Sequence, residues 1–182
     1  MSSEIGYSDI IERCCSSIQK IELTMFRSMR RFKQQLTQEE CVEILNTEVR
    51  GVLSVLGDDD YPYGIPIDFY YNQQENKIYF HGAKEGHKID SIKRHNKVSF
   101  CVYDKGYKKE GHWALYFKSV IVFGKIKIVE DFNKAVEICR NLSLKFTKDT
   151  SEIDIMIEKY AKNVMCLEMD CEHITGKSVA EK

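Results

Sequence analysis

The chain has 182 residues, 43% of them hydrophobic and 30% charged, with a formal net charge of −1. That length holds one domain with a real core, alone or with an extension. The near-neutral charge argues against a general nucleic-acid binder, and no apolar run approaches the roughly 20 residues of a membrane span. The N-terminus lacks the apolar stretch of a signal peptide, so the expected location is the cytoplasm.

Residues 1–28 read as an N-terminal extension. "SDIIERCCSSIQKIELTMF" has the pattern of a short amphipathic helix capped by Ser8 or Asp9, with no clear apolar partner, and Met25 and Met29 are alternative starts. The basic run Arg27, Arg30, Arg31 and Lys33 reads as a solvated charged face. Residues 29–182 read as one domain. Thr37 followed by Glu40 is a capping box, and Val42, Ile44 and Leu45 supply the apolar helical face behind it. "VRGVLSVL" (49–56) and "YGIPIDFYY" (63–71) read as strands joined by the turn "GDDDYP". Asp58, Asp59 and Asp60 lack the ligand spacing of a calcium loop. Pro66 must stand where no ladder hydrogen bond is needed.

"NQQEN" turns the chain into a third strand, "KIYFHG", which a helix over about 85–94 follows. "KVSFCVYD" (97–104) and the long alternating "ALYFKSVIVFGKIKIVE" (114–130) are further strands, with Gly124 a bulge in the second. Helices follow at 131–146, capped by Asp131, and at 151–161, before a last strand over 163–175. Six strands joined mostly by short turns predict a mainly β fold with flanking helices, an antiparallel barrel.

Seven cysteines invite a metal reading, which the spacing does not support. There is no C-x-x-C, and Cys166 and Cys171 stand an odd number of residues apart in a strand, so they point to opposite sides. They read as small apolar residues in a reducing compartment, and no metal is expected.

The stretch "YFHGAKEGHKIDSI" (79–92) joins a strand to a helix through two glycines, two lysines and two histidines. A helix N-terminus presents unpaired N–H groups and partial positive charge, and glycine lets backbone approach a ligand. Lys84, His87 and Lys88 add donors, a combination that suits a phosphate, although no standard phosphate-loop or dinucleotide pattern is present. The competing reading is a solvated loop with surface lysines.

From about Met29 to Lys177 the chain resembles the FMN-binding split-barrel family typified by pyridoxamine 5′-phosphate oxidase, and within it the nitroimidazole-resistance (Nim) branch. The matching stretches, in the family's order, are "RGVLSV", "YPYGIPIDFYY", "YFHGAKEGHKIDSI", "NKVSFCV", "WALYFKSVIVFGKI" and "EHITGK". The resemblance implies a six-stranded antiparallel split β-barrel, FMN as cofactor, and a homodimer with FMN at the subunit interface. It implies that Ile65, Pro66 and Ile67 run beside the flavin ring and that Phe80, His81 and Gly82 pass the ring and ribityl chain. Ala83 and Lys84 continue that segment, and Gly86, His87 and Lys88 hold the phosphate. Lys118 and Ser119 fall where the oxidase has an arginine and a glutamine that reach the flavin from the partner subunit. His87 stands where the oxidase has arginine, which makes phosphate affinity lower or more dependent on pH.

The oxidase ends in arginine and histidine residues that bind pyridoxal phosphate; "EHITGKSVAEK" has no such arginine, so vitamin B6 oxidation is not expected. In the Nim branch electrons pass from reduced FMN to a nitro group, giving an amine, and the expected activity is therefore an FMN-dependent oxidoreductase acting on a small, nitroaromatic acceptor. The alternatives are a flavin carrier or sequestering protein without efficient turnover, and a relative using haem or a deazaflavin. His81 is the catalytic candidate: alternation sets Tyr79 and His81 on one face and Ile78 and Phe80 on the other. It orients substrate or donates a proton, or else is a hydrogen-bonded structural residue. His95 reads as a surface residue near a helix end, His112 as a surface residue or one at the site mouth, and Trp113, Tyr116 and Phe117 as core, dimer or flavin-covering aromatics.

Overall fold

The computed structural model describes residues 26–179, so the helix expected near Ser8 and Asp9 lies outside the described residues. The chain divides into units of residues 1–30 and 31–182. Of the first, Phe26 to Arg30 are described, and they form neither helix nor strand.

In the second unit a 3-10 turn at Phe32–Gln34 precedes α1, Gln38–Thr47. Thr37 Oγ1 accepts from the Glu40 amide at 3.3 Å and Glu40 Oε2 accepts from the Thr37 amide at 2.9 Å, so the expected capping box is formed. The strands are β1 (Arg50–Leu56), β2 (Pro62–Asn72), β3 (Lys77–Gly82), β4 (Lys97–Tyr103), the two-residue β5 (Tyr107–Lys108), β6 (Leu115–Val129) and β7 (Met165–Val179). Between β3 and β4 lies α2, His87–Arg94. Between β6 and β7 lie α3, Phe132–Ser143, and α4, Thr150–Tyr160. The side chains of Asp131 and Asp149 cap α3 and α4 by accepting from amides in each first turn.

All pairings are antiparallel, in the order β4-β1-β2-β3-β7-β6, and β4 pairs β6 as well. That pairing closes six strands into a ring, the expected barrel, and β5 is a short addition on β6. The turn residues explain two of the connections. Asp59, Asp60 and Asn76 adopt positive φ of 52°, 60° and 53°, a region that Asp and Asn tolerate better than other side chains. Between Phe123 and Gly124 the β6–β7 register slips by one residue, leaving Glu172 unmatched. The irregularity falls at Gly124 as expected, but the extra residue is on β7 and not on β6; a Cβ on Gly124 would stand 1.9 Å from the Asp170 carbonyl oxygen.

Alternation fills the barrel with Leu53, Phe69, Ile78, Phe80, Phe100, Val120 and Val122. Cys41, Ile44 and Leu45 of α1, and Ile89 and Ile92 of α2, join the same cluster. A second cluster, of Tyr79, Ile138, Leu142 and Cys166, lies on the other face of β3 and β7, where α3 packs. Cys166 therefore belongs to the second cluster while Cys171 packs against the first, the opposite facing that strand alternation predicts. The last strand outruns its expected end at 175, because β6 is long enough to pair Phe117 with Val179.

Candidate functional site

Strands β2 and β3 pair only from Phe69↔Phe80 to Asn72↔Lys77. Above that point they part, and Pro62 to Asp68 keep β1 as their one ladder neighbour. The free edge carries Ile65, Pro66 and Ile67, on the side of β2 where β3 turns away. Pro66 sits in this single-sided half, as a proline without an N–H requires.

After Gly82 the chain crosses Ala83, Lys84 and Glu85 to Gly86, which caps α2 at φ 120° with no side chain bonded to the first amides. A Cβ on Gly86 would meet nothing within 4 Å, so glycine is needed there for its backbone conformation and not for space. The result is a helix start whose N–H groups no side chain caps. Lys88 reaches back over Gly82: its Nζ lies 2.8 Å from the place a Gly82 Cβ would take. Burial holds the Lys88 ammonium below its usual pKa, and no carboxylate among the described residues pairs with it.

The other two cations of the junction are engaged. Lys84 Nζ donates to the Lys162 carbonyl at 2.6 Å. His87 Nε2 stands 3.4 Å from Asp58 Oδ2, with its ring stacked on Tyr63 at 4.3 Å. Asp58 also receives Arg94 at 2.6 Å, so the acidic turn serves to hold α2 in place. Lys88 is thus the cation of the three left to an outside anion.

His81 points away from the barrel interior, on the Tyr79 face, as the alternation predicts. It lines a recess of about 150 Å³ whose other walls include Cys139 of α3 and Met156, Ile157 and Tyr160 of α4. The recess desolvates the imidazole and lowers its pKa, although solvent still reaches the ring; Asp68 opposes the shift and Lys88 adds to it. That places it below the ordinary imidazole value of about 6.5. Asp68 stands beyond the last β2–β3 pair, one step past Phe69↔Phe80, and is fixed by Arg50 through Nε at 2.6 Å and Nη2 at 3.2 Å.

Lys118 and Ser119 are not gathered here. Lys118 Nζ bonds Glu40 Oε1 of α1 at 2.9 Å, while Ser119 alternates to the other face of β6 with Ile121 and Phe123. Gly82 pairs with Met165 at one end of β7 and Ser119 with Lys177 near the other, twelve residues along. That is about 40 Å of strand at roughly 3.3 Å per residue. Within one chain these residues and the junction belong to different sites.

The remaining aromatics form an arm at β5 and the start of β6. Tyr116 Oη bonds His112 Nδ1 at 2.8 Å and its ring stacks on Tyr107, while Trp113 is 78% exposed. His95 caps the C-terminus of α2 and is exposed, as expected. Sequence reasoning missed Arg50 and Asp68, and the available signal was their facing position in a β1–β2 hairpin. It also missed the recess, which α3 and α4 build from residues far away in sequence.

The family profile described as pyridoxamine 5′-phosphate oxidase matches residues 37–178, nearly the whole described barrel. The chain belongs to the pyridoxamine 5′-phosphate oxidase family. Solved structures share the fold at low identity. One is a Bacteroides thetaiotaomicron protein provisionally assigned to 5-nitroimidazole antibiotic resistance, with TM-score 0.68, 19% identity, and coverage of 79% of this chain and 86% of that one. Another is a FAD-binding protein of Mesorhizobium loti, with TM-score 0.58, 19% identity, and coverage of 81% and 98%. A third is a flavocytochrome of Azotobacter vinelandii, with TM-score 0.70, 15% identity, and coverage of 85% and 73%. No curated protein matches the chain at a significant level. Among the described residues of this family member, no helix is long and apolar enough to cross a membrane.

Proposed function

We propose that this chain is an FMN-dependent oxidoreductase of the nitroimidazole-reductase type, active as a homodimer. The observation that carries the reading is Lys88: a half-buried ammonium without a carboxylate partner, beside a helix start that no side chain caps. An anion satisfies both, and the terminal phosphate of FMN is the anion that the family's cofactor offers. The unpaired β2 edge at Ile65, Pro66 and Ile67 suits the hydrogen-bonding rim of a flat heterocycle, with Phe80, His81, Gly82 and Ala83 along its flank. When bound, FMN supplies the electrons. The chain's own residues do the rest: the start of α2 at Gly86 and His87 offers its backbone N–H groups and Lys88 its ammonium to the phosphate, and His81 holds a proton at the mouth of the recess. Met156 and Ile157 give that recess apolar walls, which favour a small flat acceptor. The likeness to the nitroimidazole-resistance structure supports a nitroaromatic acceptor.

Removing the Lys88 charge by Lys88→Ala is expected to cost on the order of 1.5–3 kcal/mol of FMN binding, tenfold or more in Kd. Lys84→Ala is expected to cost less, because Lys84 already serves the Lys162 carbonyl. Fluorescence titration of apoprotein with FMN reads both. Unchanged affinity in the Lys88 variant would sink the phosphate assignment. Mass spectrometry of the released cofactor, with an absorbance spectrum, separates FMN from haem or a deazaflavin.

The homodimer rests on two observations. Ser119 cannot reach a flavin at its own junction, yet it lies on a β6 face that presents Ile121 at 39% and Phe123 at 36% exposure. Tyr103 of the neighbouring β4, paired with Ser119, extends that apolar face. Covering it with a second copy hides apolar surface and brings Ser119 toward the partner's junction. Light scattering of the wild type is expected to give a dimer. Ile121→Asp, which sets a charge in the centre of that face, is expected to give a monomer with weakened FMN binding; a monomer that keeps full FMN occupancy would refute the interface.

A further inference from the structure

Behind the His81 recess lies a pair of thiols that flavin binding does not use. Cys139 of α3 forms part of the recess wall, and Cys166 of β7 is buried next to it. Their sulfurs are 3.7 Å apart. Cys166 is the register partner of His81 across β3 and β7, so the pair sits directly against the strand that carries the catalytic candidate.

The two thiols have unequal roles. The Cys166 hydrogen has two acceptors, the Cys139 sulfur and the Ala135 carbonyl oxygen at 3.5 Å. When it turns to Cys139 it lowers the pKa of that thiol, against the effect of burial. The same contact, with burial, raises Cys166. Burial also raises Cys41, Cys101 and Cys171. Among the described cysteines, Cys139 is thus the one held toward thiolate, and it stands in a recess that small molecules reach.

We propose that Cys139 and Cys166 are a hydroperoxide-reactive dithiol that closes to a reversible disulfide. The Cys139 thiolate attacks the outer oxygen of a hydroperoxide. An S–O bond forms, the O–O bond breaks, and the leaving alkoxide takes up a proton and departs as an alcohol, or as water from hydrogen peroxide. The two electrons that reduce the peroxide come from Cys139, which becomes a sulfenic acid. Cys166 sulfur then attacks Cys139 sulfur; the S–S bond forms, the S–O bond breaks, and the hydroxyl leaves with the Cys166 proton as water. Closing the bond requires the sulfurs to approach by about 1.7 Å, to the ~2.05 Å of a disulfide. A dithiol reductant reopens it by exchange. The bond ties α3 to β7 at the wall that faces His81. Any effect on acceptor reduction rests on the function proposed above; the formation of the bond does not.

The test uses the full chain, reduced and then freed of reductant, treated with hydrogen peroxide. Thiols are counted in denaturant, and a non-reduced digest is mapped by mass spectrometry. The expected result is loss of two thiols per chain, a 139–166 crosslinked peptide, and recovery of both thiols with dithiothreitol. Cys139→Ser should abolish the crosslink and leave Cys166 reduced. Cys166→Ser should stop at a Cys139 sulfenic acid that dimedone traps; if that core variant fails to fold, Cys139→Ser and the peptide map decide alone. Crosslinks through Cys14 or Cys15 in place of Cys139, no 139–166 peptide, or the same thiol loss in Cys139→Ser would overturn the proposal. Flavin content is read on the same sample: a chain that crosslinks but binds no flavin leaves the thiol pair standing and removes the oxidoreductase.

Discussion

His81→Ala is expected to leave FMN bound and the dimer intact while slowing reoxidation of the prereduced protein by a nitro compound, and the deficit is expected to grow as the pH falls. The reasoning starts from position. His81 lies on the recess side of β3, off the phosphate-binding segment, so its loss removes neither Lys88 nor the α2 N-terminus. A positioned proton donor is typically worth about 10²–10⁴ in rate. The folded protein holds the His81 imidazolium below its ordinary pKa, through desolvation and the Lys88 charge with Asp68 opposing. The protonated form is therefore the minor one at neutral pH. Its fraction gains about tenfold per unit of falling pH until the pKa is passed. The wild-type to variant ratio should follow that fraction and level off on the acid side. A ratio that stays flat with pH would mean that His81 acts by orienting substrate through a neutral ring. An unchanged rate per bound flavin would remove His81 from the chemistry.

Local signals carried most of the barrel. "KIYFHG", a short apolar run between the turn "NQQEN" and a glycine, is β3 from Lys77 to Gly82, the residues expected, and Thr37 with Glu40 announces α1 before any contact is considered. Gly124 is readable because an alternating strand interrupted by glycine implies close backbone approach, which the Asp170 carbonyl supplies. What alternation could not reveal was set by distant partners. Residues 176–179 look like the tail of a domain, yet β6 extends far enough to pair with them. Lys145 lies in the helical stretch 131–146, and no local pattern there marks it for burial. In the fold its ammonium lies 4.2 Å from the centre of the Phe69 ring and caps α1 through the carbonyls of Leu45 and Glu48, and burial brings its pKa down to about 8.

The candidate site divides along the same line. Its junction half is contiguous in sequence, from Tyr79 to Ile92, and was legible as a cationic glycine-rich turn into a helix. Which cation remains free was not, because that depends on Asp58 holding His87 and on the Lys162 carbonyl holding Lys84. Lys118 shows the limit of aligned position: Glu40 engages it on one face of β6 while Ser119 turns to the other. Of the two, Ser119 is the one an apposed second copy would meet. The recess was illegible because its walls come from β3, α3 and α4, and no periodicity joins His81 to Cys139 or Tyr160.

Glu168→Gln is expected to be the most destabilising conservative change on the sheet, costing about 3 kcal/mol. Glu168 is 1% exposed on β7, on the outer face of the barrel. Burial alone would raise its pKa, but hydrogen bonds from Lys134, Lys77 and Lys127 reverse that and hold the carboxylate at about 2. The three ammonium groups stand 2.6, 2.5 and 3.1 Å from its oxygens, and they come from α3, β3 and β6. One acid thus ties a helix and two flanking strands to β7, and its amide leaves three cations facing a neutral group. Lys127 is 63% exposed and can swing into water, so Lys127→Ala should cost under about 1 kcal/mol. The sign of the pH dependence follows from the depressed folded value. Above the unfolded pKa of about 4.5 the contribution is whole, and it is lost as the pH falls through the folded value of about 2. Urea unfolding of the wild type and of Glu168→Gln across that interval provides the test. The two stability curves should lie furthest apart above pH 5 and converge toward pH 2, and a constant offset across the range would show that Glu168 contributes by packing and not by charge.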